Sequence, residues 1–298
     1  MKILISGATG FIGTHIITRL LLEKHIVCAI VRPSTSKRSF DKKVTVYEFN
    51  RDTEDLVTFM QQEHFDGVIH LASLFLASHT TQDVNNLVES NILFGTQIIE
   101  AAVRSGTKWF INTGTFVQHY NNKKYSPVNL YAATKQAFES VAQYYIETSP
   151  INFVTIELFD TFGPGDTRPK IFNLLSKIST TGETLTMSPG EQVLDISYIH
   201  NVIDGYLHMV TLLSKKDARK LRGKCYALYA HKRFTLKTLV KVFEKITTKK
   251  LNIVWGGREY RPREVMIPWE KGLPIPGFKP RYSLEEGIRE TLASIHYP

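Results

Sequence analysis

The chain has 298 residues, 43% of them hydrophobic and 22% charged, and a net charge of +9. It is long enough for one large domain or two moderate ones, it has no apolar run of the roughly 18 residues that span a membrane, and it begins without a signal-peptide pattern, so we expect a cytoplasmic protein with no membrane partner. The basic residues are dispersed and no nucleic-acid motif accompanies them; an anionic small substrate or cofactor explains the charge equally well, and we expect no nucleic-acid partner.

Short β-branched and apolar runs alternate with helical periodicity over roughly the first 160 residues. The predicted strands are KILIS, IVCAIV, VTVYEF, GVIHLA, WFINTG and NFVTIEL, and the predicted helices cover residues 11–24, 53–62, 84–105 and 130–148. Regular alternation of this kind implies right-handed crossovers. It predicts an α/β fold with a doubly wound parallel Rossmann sheet.

The pattern changes after residue 160, where Gly and Pro accumulate in FGPGDTRP and MSPGEQ. Helical segments follow near residues 170–180, 199–214, 236–247 and 284–294, and no flexible linker is evident. We therefore predict a smaller C-terminal substrate-binding lobe packed closely on the sheet. The predicted boundaries are residues 1–163 and 191–230 for the Rossmann dinucleotide-binding domain, and residues 164–190 and 231–298 for the lobe.

A glycine-rich turn joins the first predicted strand to the first predicted helix, in SGATGFIGTH. Gly7 permits the tight turn, Gly10 lets the backbone approach a pyrophosphate, and Gly13 lets the helix pack on the strand. The free N–H groups of the helix start then face the anion. The spacing predicts a dinucleotide site, and its cofactor-binding residues are Gly7, Thr9, Gly10, Phe11, Ile12 and Gly13.

The end of the second strand, VRPSTSKR, bears on the choice of cofactor. An NAD-specific site ordinarily places an acidic residue here against the adenosine ribose, whereas this chain has Arg32. A guanidinium can pair with a 2′-phosphate, so we predict NADPH over NAD, with help from neighbouring polar and basic side chains. These are Ser34, Ser36, Lys37 and Arg38. A solvated basic loop would leave the cofactor preference open.

Two Tyr-x-x-x-Lys pairs occur in the chain. Tyr120 and Lys124 lie in HYNNKKYSPVN, whose Asn and Pro residues favour a turn, where this spacing does not align side chains. Tyr131 and Lys135 lie in NLYAATKQAFESVAQYYIE, which is rich in helix formers and has a possible cap at Asn129. On a helix the ammonium would lie near the phenol and lower its pKa, giving a usable proton donor.

The strand before this helix supplies hydroxyl groups at Thr113 and Thr115. With these motifs in order, the chain resembles the extended short-chain dehydrogenase/reductases, a group of nucleotide-sugar epimerases, dehydratases and reductases. GATGFIG resembles the cofactor loop of that family, HLAS the end of its fourth strand, and YAATK its active-site helix. FGPGDTR and YRPREVMIPW resemble its sugar-nucleotide segments, so the resemblance covers nearly the whole chain.

The resemblance implies roles for individual residues. Tyr131 would be the general acid/base, Lys135 would bind the nicotinamide ribose, and Thr115 would replace the usual serine, with Thr113 as the alternative hydroxyl. The fourth-strand end would add cofactor contacts at Leu71, Ala72 and Ser73. The substrate contacts implied are Thr115, Phe116, Arg168, Lys170 and Arg261, with Arg263 as a substitute for Arg261.

The resemblance also narrows the reaction. Sugar 4,6-dehydratases of the family carry Asp-Glu directly after the catalytic threonine, but here Phe116 and Val117 follow Thr115, and neither can move a proton. A 4-epimerase retains NAD, whereas Arg32 favours exchangeable NADPH. We therefore expect an NADPH-dependent 4-ketoreductase acting on a nucleotide-diphosphate 4-keto-6-deoxyhexose for surface polysaccharide, with a 4-epimerase as the alternative. A non-catalytic dinucleotide-binding protein would be expected to lack Tyr131 or Lys135.

Two further expectations concern metals and assembly. His70 and His200 lack ligand spacing with carboxylates or thiols, and the chain has only two cysteines, so we predict no metal site. Relatives pair through the helices that correspond to residues 84–105 and 130–148. Excess apolar residues there fit either a core or an interface, and we expect a homodimer.

Overall fold

The computed structural model describes residues 1–35, 40–230 and 232–296. The strands are β1 (Lys2–Ser6), β2 (Ile26–Val31), β3 (Thr45–Glu48), β4 (Gly67–His70), β5 (Trp109–Thr115), β6 (Asn152–Leu158), β7 (Asp160–Phe162), β8 (Leu185–Met187), β9 (Val193–Leu194), β10 (Ile196–Tyr198), β11 (Cys225–Leu228), β12 (Phe234–Thr235), β13 (Ile253–Trp255) and β14 (Leu273–Pro274). The helices are α1 (Phe11–Leu22), α2 (Thr53–Glu63), α3 (Asp83–Val88), α4 (Phe94–Arg104), α5 (Leu130–Thr148), α6 (Ile171–Thr181), α7 (Ile199–Leu213), α8 (Leu236–Thr247) and α9 (Leu284–His296).

The central sheet has eight parallel strands in the order β3-β2-β1-β4-β5-β6-β11-β14. The chain moves outward from β1 to β3 and then returns to the other side of β1 at β4. This reversal leaves a crevice at the carboxyl ends of β1 and β4, where doubly wound sheets bind ligands. The predicted α/β fold with a doubly wound parallel sheet is confirmed.

The sheet separates two hydrophobic cores, because successive residues of a strand point to opposite faces. In β1, Ile3 and Ile5 join the core beneath α1 and α7, whereas Leu4 joins the core beneath α2, α4 and α5. All three side chains are fully buried. Burial on both faces explains why these strands are continuous apolar runs, with no alternation of polar residues.

The predicted helix over residues 84–105 contains an irregular turn. A π-helical turn at Glu89–Leu93 links α3 to α4. Such turns insert an extra residue in the helical repeat and change which side chains face the sheet. Here the turn directs Asn91 into the protein, where its side chain is fully buried.

The second half of the chain adds short strands that we did not predict. β7 pairs with β10, β8 with β13 and β9 with β12, outside the main sheet. β14 lies within the range predicted for the lobe, yet it pairs with β11 at the edge of the main sheet. In the described part of the chain, no helix is long and apolar enough to cross a membrane.

Candidate active site

The glycine turn has the close contacts that its sequence predicts. Gly7 has φ +70°, and a Cβ there would lie 2.6 Å from the backbone nitrogen of Ala72. A Cβ on Gly13 would lie 2.2 Å from the Gly7 carbonyl oxygen. Gly10 precedes α1 without a side-chain cap, so the helix start presents uncapped N–H groups. These features fit a pyrophosphate at the crevice.

The predicted adenosine end lies just beyond β2. Arg32 and Ser34 are both exposed, and the Arg32 carbonyl accepts a hydrogen bond from Thr35 at 2.9 Å. Arg32 therefore directly follows β2 at the carboxyl edge of the sheet, with its side chain exposed. Ser36, Lys37 and Arg38 lie outside the described residues.

The active-site helix α5 begins where the sequence predicts. The Asn129 side chain accepts a hydrogen bond from the Ala132 backbone at 3.0 Å and so caps the helix. Tyr131 then lies in the first turn and Lys135 one turn later, on the same face. The competing pair behaves differently: Tyr120 begins a short 3₁₀ turn that includes Asn121 at φ 54°, and Lys124 is exposed outside any helix.

The Tyr131 hydroxyl forms hydrogen bonds with the hydroxyl groups of Ser73 and Thr115. Burial raises the pKa of Tyr131, and these two hydrogen bonds oppose the increase. The expectation that the Lys135 charge dominates and lowers this pKa is therefore wrong. The phenol remains protonated near neutral pH, as a proton donor must. Ser73, which we predicted only as a cofactor contact, also contacts Tyr131.

The Thr115 hydroxyl is oriented by its own turn. Its oxygen accepts from the Gln118 backbone, while the Gln118 Oε1 atom accepts from the Thr115 backbone at 3.0 Å. With the oxygen occupied in this way, the hydroxyl proton is available to the cleft. The alternative hydroxyl, Thr113, is already bonded to the Tyr206 hydroxyl at 2.7 Å. Of the two threonines, the structure therefore places Thr115 at Tyr131.

The Lys135 ammonium is buried without a hydrogen-bond partner among the described residues. Its side chain is 1% exposed, and Nζ is an unsatisfied donor. Burial lowers the pKa of Lys135 to about 8, while the charge of Glu139 opposes this decrease. An orphaned ammonium beside Tyr131 and the crevice fits the hydroxyl groups of a nicotinamide ribose, which would supply the missing acceptors.

Two residues that shape this site were not predicted. In the π-helical turn, the Asn91 Oδ1 atom accepts from the Leu74 backbone at 2.7 Å, and Nδ2 donates to the Thr134 hydroxyl at 2.9 Å. Asn91 thus ties the segment after β4 to α5. Phe75 packs edge-on against Tyr131, with ring centroids 5.0 Å apart, although 54% of it is exposed. A polar residue within a predicted helix and an aromatic residue in the apolar run directly after β4 were the available signals.

The basic residues predicted for the substrate lie in different environments. Arg168 is paired with Asp166 at 2.6 Å, and its guanidinium lies 4.6 Å from the Phe11 ring centroid. Lys170 pairs with Asp160 at 3.1 Å and lies 6.0 Å from the Phe75 ring. These contacts place both side chains along the crevice.

The two arginines of YRPRE also separate. Arg263 donates to the Ser126 hydroxyl at 2.8 Å and lies 4.3 Å from the Tyr120 ring. Arg261 is exposed, and for its side chain, within the described residues, no ion pair or hydrogen bond is found. The guanidinium of Arg261 is therefore available to bind a ligand, whereas the guanidinium of Arg263 contacts other residues of the protein.

The two histidines considered as metal ligands have other contacts. His70 Nδ1 is 2.8 Å from the Ser6 hydroxyl, and the ring lies among Phe94, Phe110 and Phe138. Burial and then the Lys135 charge lower the pKa of His70 to about 3. His200 packs against the rings of Tyr198 and Tyr282. Within residues 1–35, 40–230 and 232–296, no group of His, Cys, Asp and Glu side chains could hold a metal ion.

Comparison with known proteins identifies the family to which the chain is similar. The sequence model described as the NAD dependent epimerase/dehydratase family matches residues 3–221. A CDP-abequose synthase of Salmonella muenchen is 25% identical, covering 98% of this chain and 97% of its own. One from Yersinia pseudotuberculosis is 27% identical over 90% of this chain and 92% of its own.

Solved structures show the same fold. The UDP-glucose 4-epimerase of Thermotoga maritima with UDP-glucose has a TM-score of 0.85 at 20% identity, covering 99% of each chain. A UDP-glucuronic acid 4-epimerase from Bacillus cereus, in complex with UDP-glucuronic acid and NAD, has a TM-score of 0.83 at 23% identity and 99% coverage of both chains. The whole chain therefore shares one architecture with these proteins.

Proposed function

Since the chain belongs to the NAD dependent epimerase/dehydratase family, we propose that it is a cytoplasmic NADPH-dependent 4-ketoreductase of a nucleotide-linked 4-keto-6-deoxyhexose. The resemblance to extended short-chain dehydrogenase/reductases is thereby confirmed. The observation that carries the proposal is the hydroxyl cluster of Tyr131, Thr115 and Ser73, beside the unpaired Lys135 ammonium.

The geometry supports one proton transfer and one hydrogen bond to a carbonyl oxygen. Bound NADPH would supply the hydride that reduces the C4 ketone. Tyr131 donates its proton to the oxygen as the carbon is reduced, and the Thr115 hydroxyl donates a hydrogen bond to the same oxygen. Lys135 would hold the nicotinamide ribose through its free N–H groups. The products are the C4 alcohol and NADP, and a proton from water restores the Tyr131 phenol, so electrons and protons balance.

The adenosine end supports NADPH. Arg32 occupies the position after β2 where an acidic residue would bind the ribose hydroxyl groups of NAD. We expect Arg32→Asp to weaken NADPH binding on the order of 10-fold or more, because a charge-assisted contact to the 2′-phosphate is lost, with little effect on NADH. Cofactor titration by nicotinamide fluorescence measures both constants.

Lys216→Asp is the matched control for that titration. It makes the same change of charge at an exposed residue beyond the end of α7, near the amino-terminal edge of the sheet. Both constants should stay unchanged in this variant. Equal loss of NADPH affinity in the two variants would mean that Arg32 contributes only to the overall charge.

The substrate is proposed from the relatives and from basic residues along the crevice. CDP-abequose synthases favour a CDP-linked deoxysugar and surface polysaccharide as the product's destination. Arg261 has free donors for the diphosphate, and Arg168 and Lys170 lie along the crevice. Phe116, which directly follows Thr115, is stacked on Phe159 with centroids 5.2 Å apart and offers an apolar surface near the reacting carbon.

Two other functions compete with this one. The fold shared with UDP-sugar 4-epimerases supports a 4-epimerase that retains NAD. A non-catalytic sensor is disfavoured because Tyr131, Thr115 and Lys135 are all present and grouped. We also propose a homodimer through α3, α4 and α5, because exposed apolar residues lie on α3, on the π-helical turn between α3 and α4, and on α5. These are Val84, Val88, Leu93 and Tyr144.

The test is NADPH oxidation with CDP-, dTDP- and GDP-linked 4-keto-6-deoxyhexoses, followed at the nicotinamide absorbance with NADH in parallel. We expect one NADPH consumed per sugar reduced with one class of nucleotide. Co-purified NAD, no net oxidation of NADPH, and formation of the C4 epimer from a nucleotide sugar that carries a C4 hydroxyl group would instead establish an epimerase. No reaction in either assay would support the non-catalytic function.

A further inference from the structure

A buried group of charged side chains lies directly behind the catalytic residues, on the side away from the cleft. Glu139 follows Lys135 by one turn of α5, so Tyr131, Lys135 and Glu139 share one helix face. Glu157 lies on β6 and is 2% exposed. The proposed reaction uses neither carboxylate.

Glycine makes room for these carboxylates beneath the strand that carries Thr115. A Cβ on Gly114 would lie 3.2 Å from the Glu139 carboxylate oxygen and 3.2 Å from the Glu157 Cγ atom. It would also lie 2.8 Å from the Thr155 Cγ2 atom, so any larger residue would require these side chains to shift. The Thr-Gly-Thr sequence therefore combines the catalytic hydroxyl with space for two acids.

Glu139 is linked to Thr115 through one side chain. Gln118 Nε2 donates to the Glu139 carboxylate at 3.3 Å, while its Oε1 atom accepts from the Thr115 backbone at 3.0 Å. Gln118 is fully buried. Gln136 Nε2 adds a second, longer contact to Glu139 at 3.4 Å. Gln118 Nε2 also donates to Gln136 Oε1 at 3.1 Å, so the carboxylate and Gln136 together fix the glutamine that orients the turn after β5.

Several elements contribute charged or titratable side chains to the surroundings of Glu139. Lys135 lies on α5, His119 follows the 3₁₀ turn and is hydrogen-bonded to Glu157, and the Cys225 thiol of β11 contacts Glu157. The His119 ring is stacked on Trp269 with centroids 4.1 Å apart. Two potential cations and two carboxylates therefore share a site in which Lys135, His119 and Glu157 are buried and Glu139 is partly buried.

We propose that Glu139 is a positioning residue, whose carboxylate keeps the buried Lys135 ammonium charged and, through Gln118, holds Thr115 at Tyr131. Among the described residues, Glu139 is the carboxylate whose charge supports the protonation of Lys135. The inference concerns the same site as the proposed function and rests on it for the role of Lys135 in turnover.

The titration behaviour agrees with the geometry. Burial and then the Glu157 charge raise the pKa of Glu139 to about 7, against the Gln118 hydrogen bond and the charges of Lys135 and His119. Burial lowers the pKa of His119, but its hydrogen bond and charge interaction with Glu157 outweigh burial and raise it. Glu139 and Lys135 thus titrate close together, and their titrations are coupled. Removing the Glu139 charge lowers the pKa of Lys135, so the ammonium is lost at lower pH.

The test is the pH titration of Lys135 by NMR of protein labelled with ¹³C at lysine Cε, without substrate. A lysine midpoint near 8 stands apart from ordinary lysines near about 10.4 and is assigned by its loss in Lys135→Met. In Glu139→Gln we expect this midpoint to fall by about half a unit or more. An unchanged midpoint would overturn the inference.

Two variants separate charge from damage to the fold. Glu147→Gln makes the same change at an exposed residue of α5 and should leave the midpoint unchanged. Glu157→Gln removes the charge that opposes ionisation of Glu139, so the midpoint should stay or rise; a fall matching that in Glu139→Gln would indicate general disruption of the pocket and contradict the inference. If Glu139→Gln does not fold, the wild-type curve decides: a second inflection near pH 7 reports Glu139, and a single inflection contradicts the coupling.

Activity provides the independent arm. If the protein is a reductase, the alkaline limb of its kcat profile should move to lower pH in Glu139→Gln, in step with the NMR midpoint. A moved midpoint without turnover on any sugar nucleotide would refute the proposed reaction and leave the inference standing. A moved midpoint with an unmoved kcat limb would show that the Lys135 charge does not limit turnover and would contradict the role proposed for Glu139.

Discussion

The two Tyr-x-x-x-Lys pairs have the same spacing and opposite structural roles. Tyr131 and Lys135 lie on a capped helix at the carboxyl edge of the sheet, with hydroxyl groups on the phenol and no partner on the ammonium within the described residues. Tyr120 begins a 3₁₀ turn, and its ring lies against the Arg263 guanidinium. The Tyr-x-x-x-Lys spacing can form a catalytic pair only where a helix aligns the two side chains and the sheet places them at a crevice.

The same contrast applies to other residues that occur twice. Thr113 and Thr115 lie on one strand, and only Thr115 contacts Tyr131. Arg261 and Arg263 lie in one segment, and of their two side chains only that of Arg263 has contacts within the described residues. Each pair therefore supplies a matched control. Substitution of one member alters the proposed site, whereas the same substitution of the other member alters a contact outside it.

Substitution of the two tyrosines by Phe should show the largest difference in activity. Tyr131→Phe removes the proton donor, and we expect kcat to fall on the order of 10³-fold with cofactor affinity nearly unchanged. Tyr120→Phe should retain most of the activity. Steady-state kinetics and nicotinamide fluorescence provide the two readouts. Substantial turnover in Tyr131→Phe would remove Tyr131 as the acid.

Substitution of the two threonines by Val should show the second largest difference in activity. Thr115→Val removes a hydrogen bond to the reacting oxygen, and we expect kcat to fall on the order of 10²-fold. Thr113→Val loses its bond to Tyr206 and should cost about 1 kcal/mol of unfolding free energy with little change in kcat. Urea unfolding and kinetics measured together separate the two. A larger kcat loss in Thr113→Val would reverse the assignment.

Substitution of the two arginines by Ala should show the smallest difference, and it should appear in KM. Arg261→Ala should raise KM for the sugar nucleotide about 10-fold with kcat nearly constant, because an exposed charge-assisted contact to phosphate is lost equally from ground and transition states. Arg263→Ala should leave KM close to the wild-type value. The reverse order of KM values would make Arg263 the phosphate contact.

Much of the fold could be predicted because its first half is built from strong local patterns. Continuous apolar runs mark buried strands, and Asn129 marks the start of α5. The strands β7 to β10 and β12 to β14 have two or three residues each, too few for periodicity to be detected. Their positions depend on contacts across the chain, which local sequence does not encode.

The site divides in the same way. Gly7, Gly13, Tyr131 and Lys135 could be recognised because each belongs to a motif within one turn or helix. Asn91 could not, because its role depends on the π-helical turn that aims it at Leu74 and Thr134. The predicted direction of the Tyr131 pKa shift was also wrong, because the sequence spacing indicates a neighbouring charge but does not show how deeply the phenol is buried.

The central claim is net transfer of hydride to a sugar C4 ketone with proton donation by Tyr131. The most direct test uses NADPH deuterated at both C4 positions of the nicotinamide, in a single turnover followed by mass spectrometry of the sugar nucleotide. The expected result is one deuterium at C4 of the sugar for each NADP formed, and none in Tyr131→Phe with NADPH still bound. Unreduced ketone with deuterium retained on the cofactor, together with C4 epimerisation by enzyme-bound NAD of a nucleotide sugar that carries a C4 hydroxyl group, would contradict the reductase.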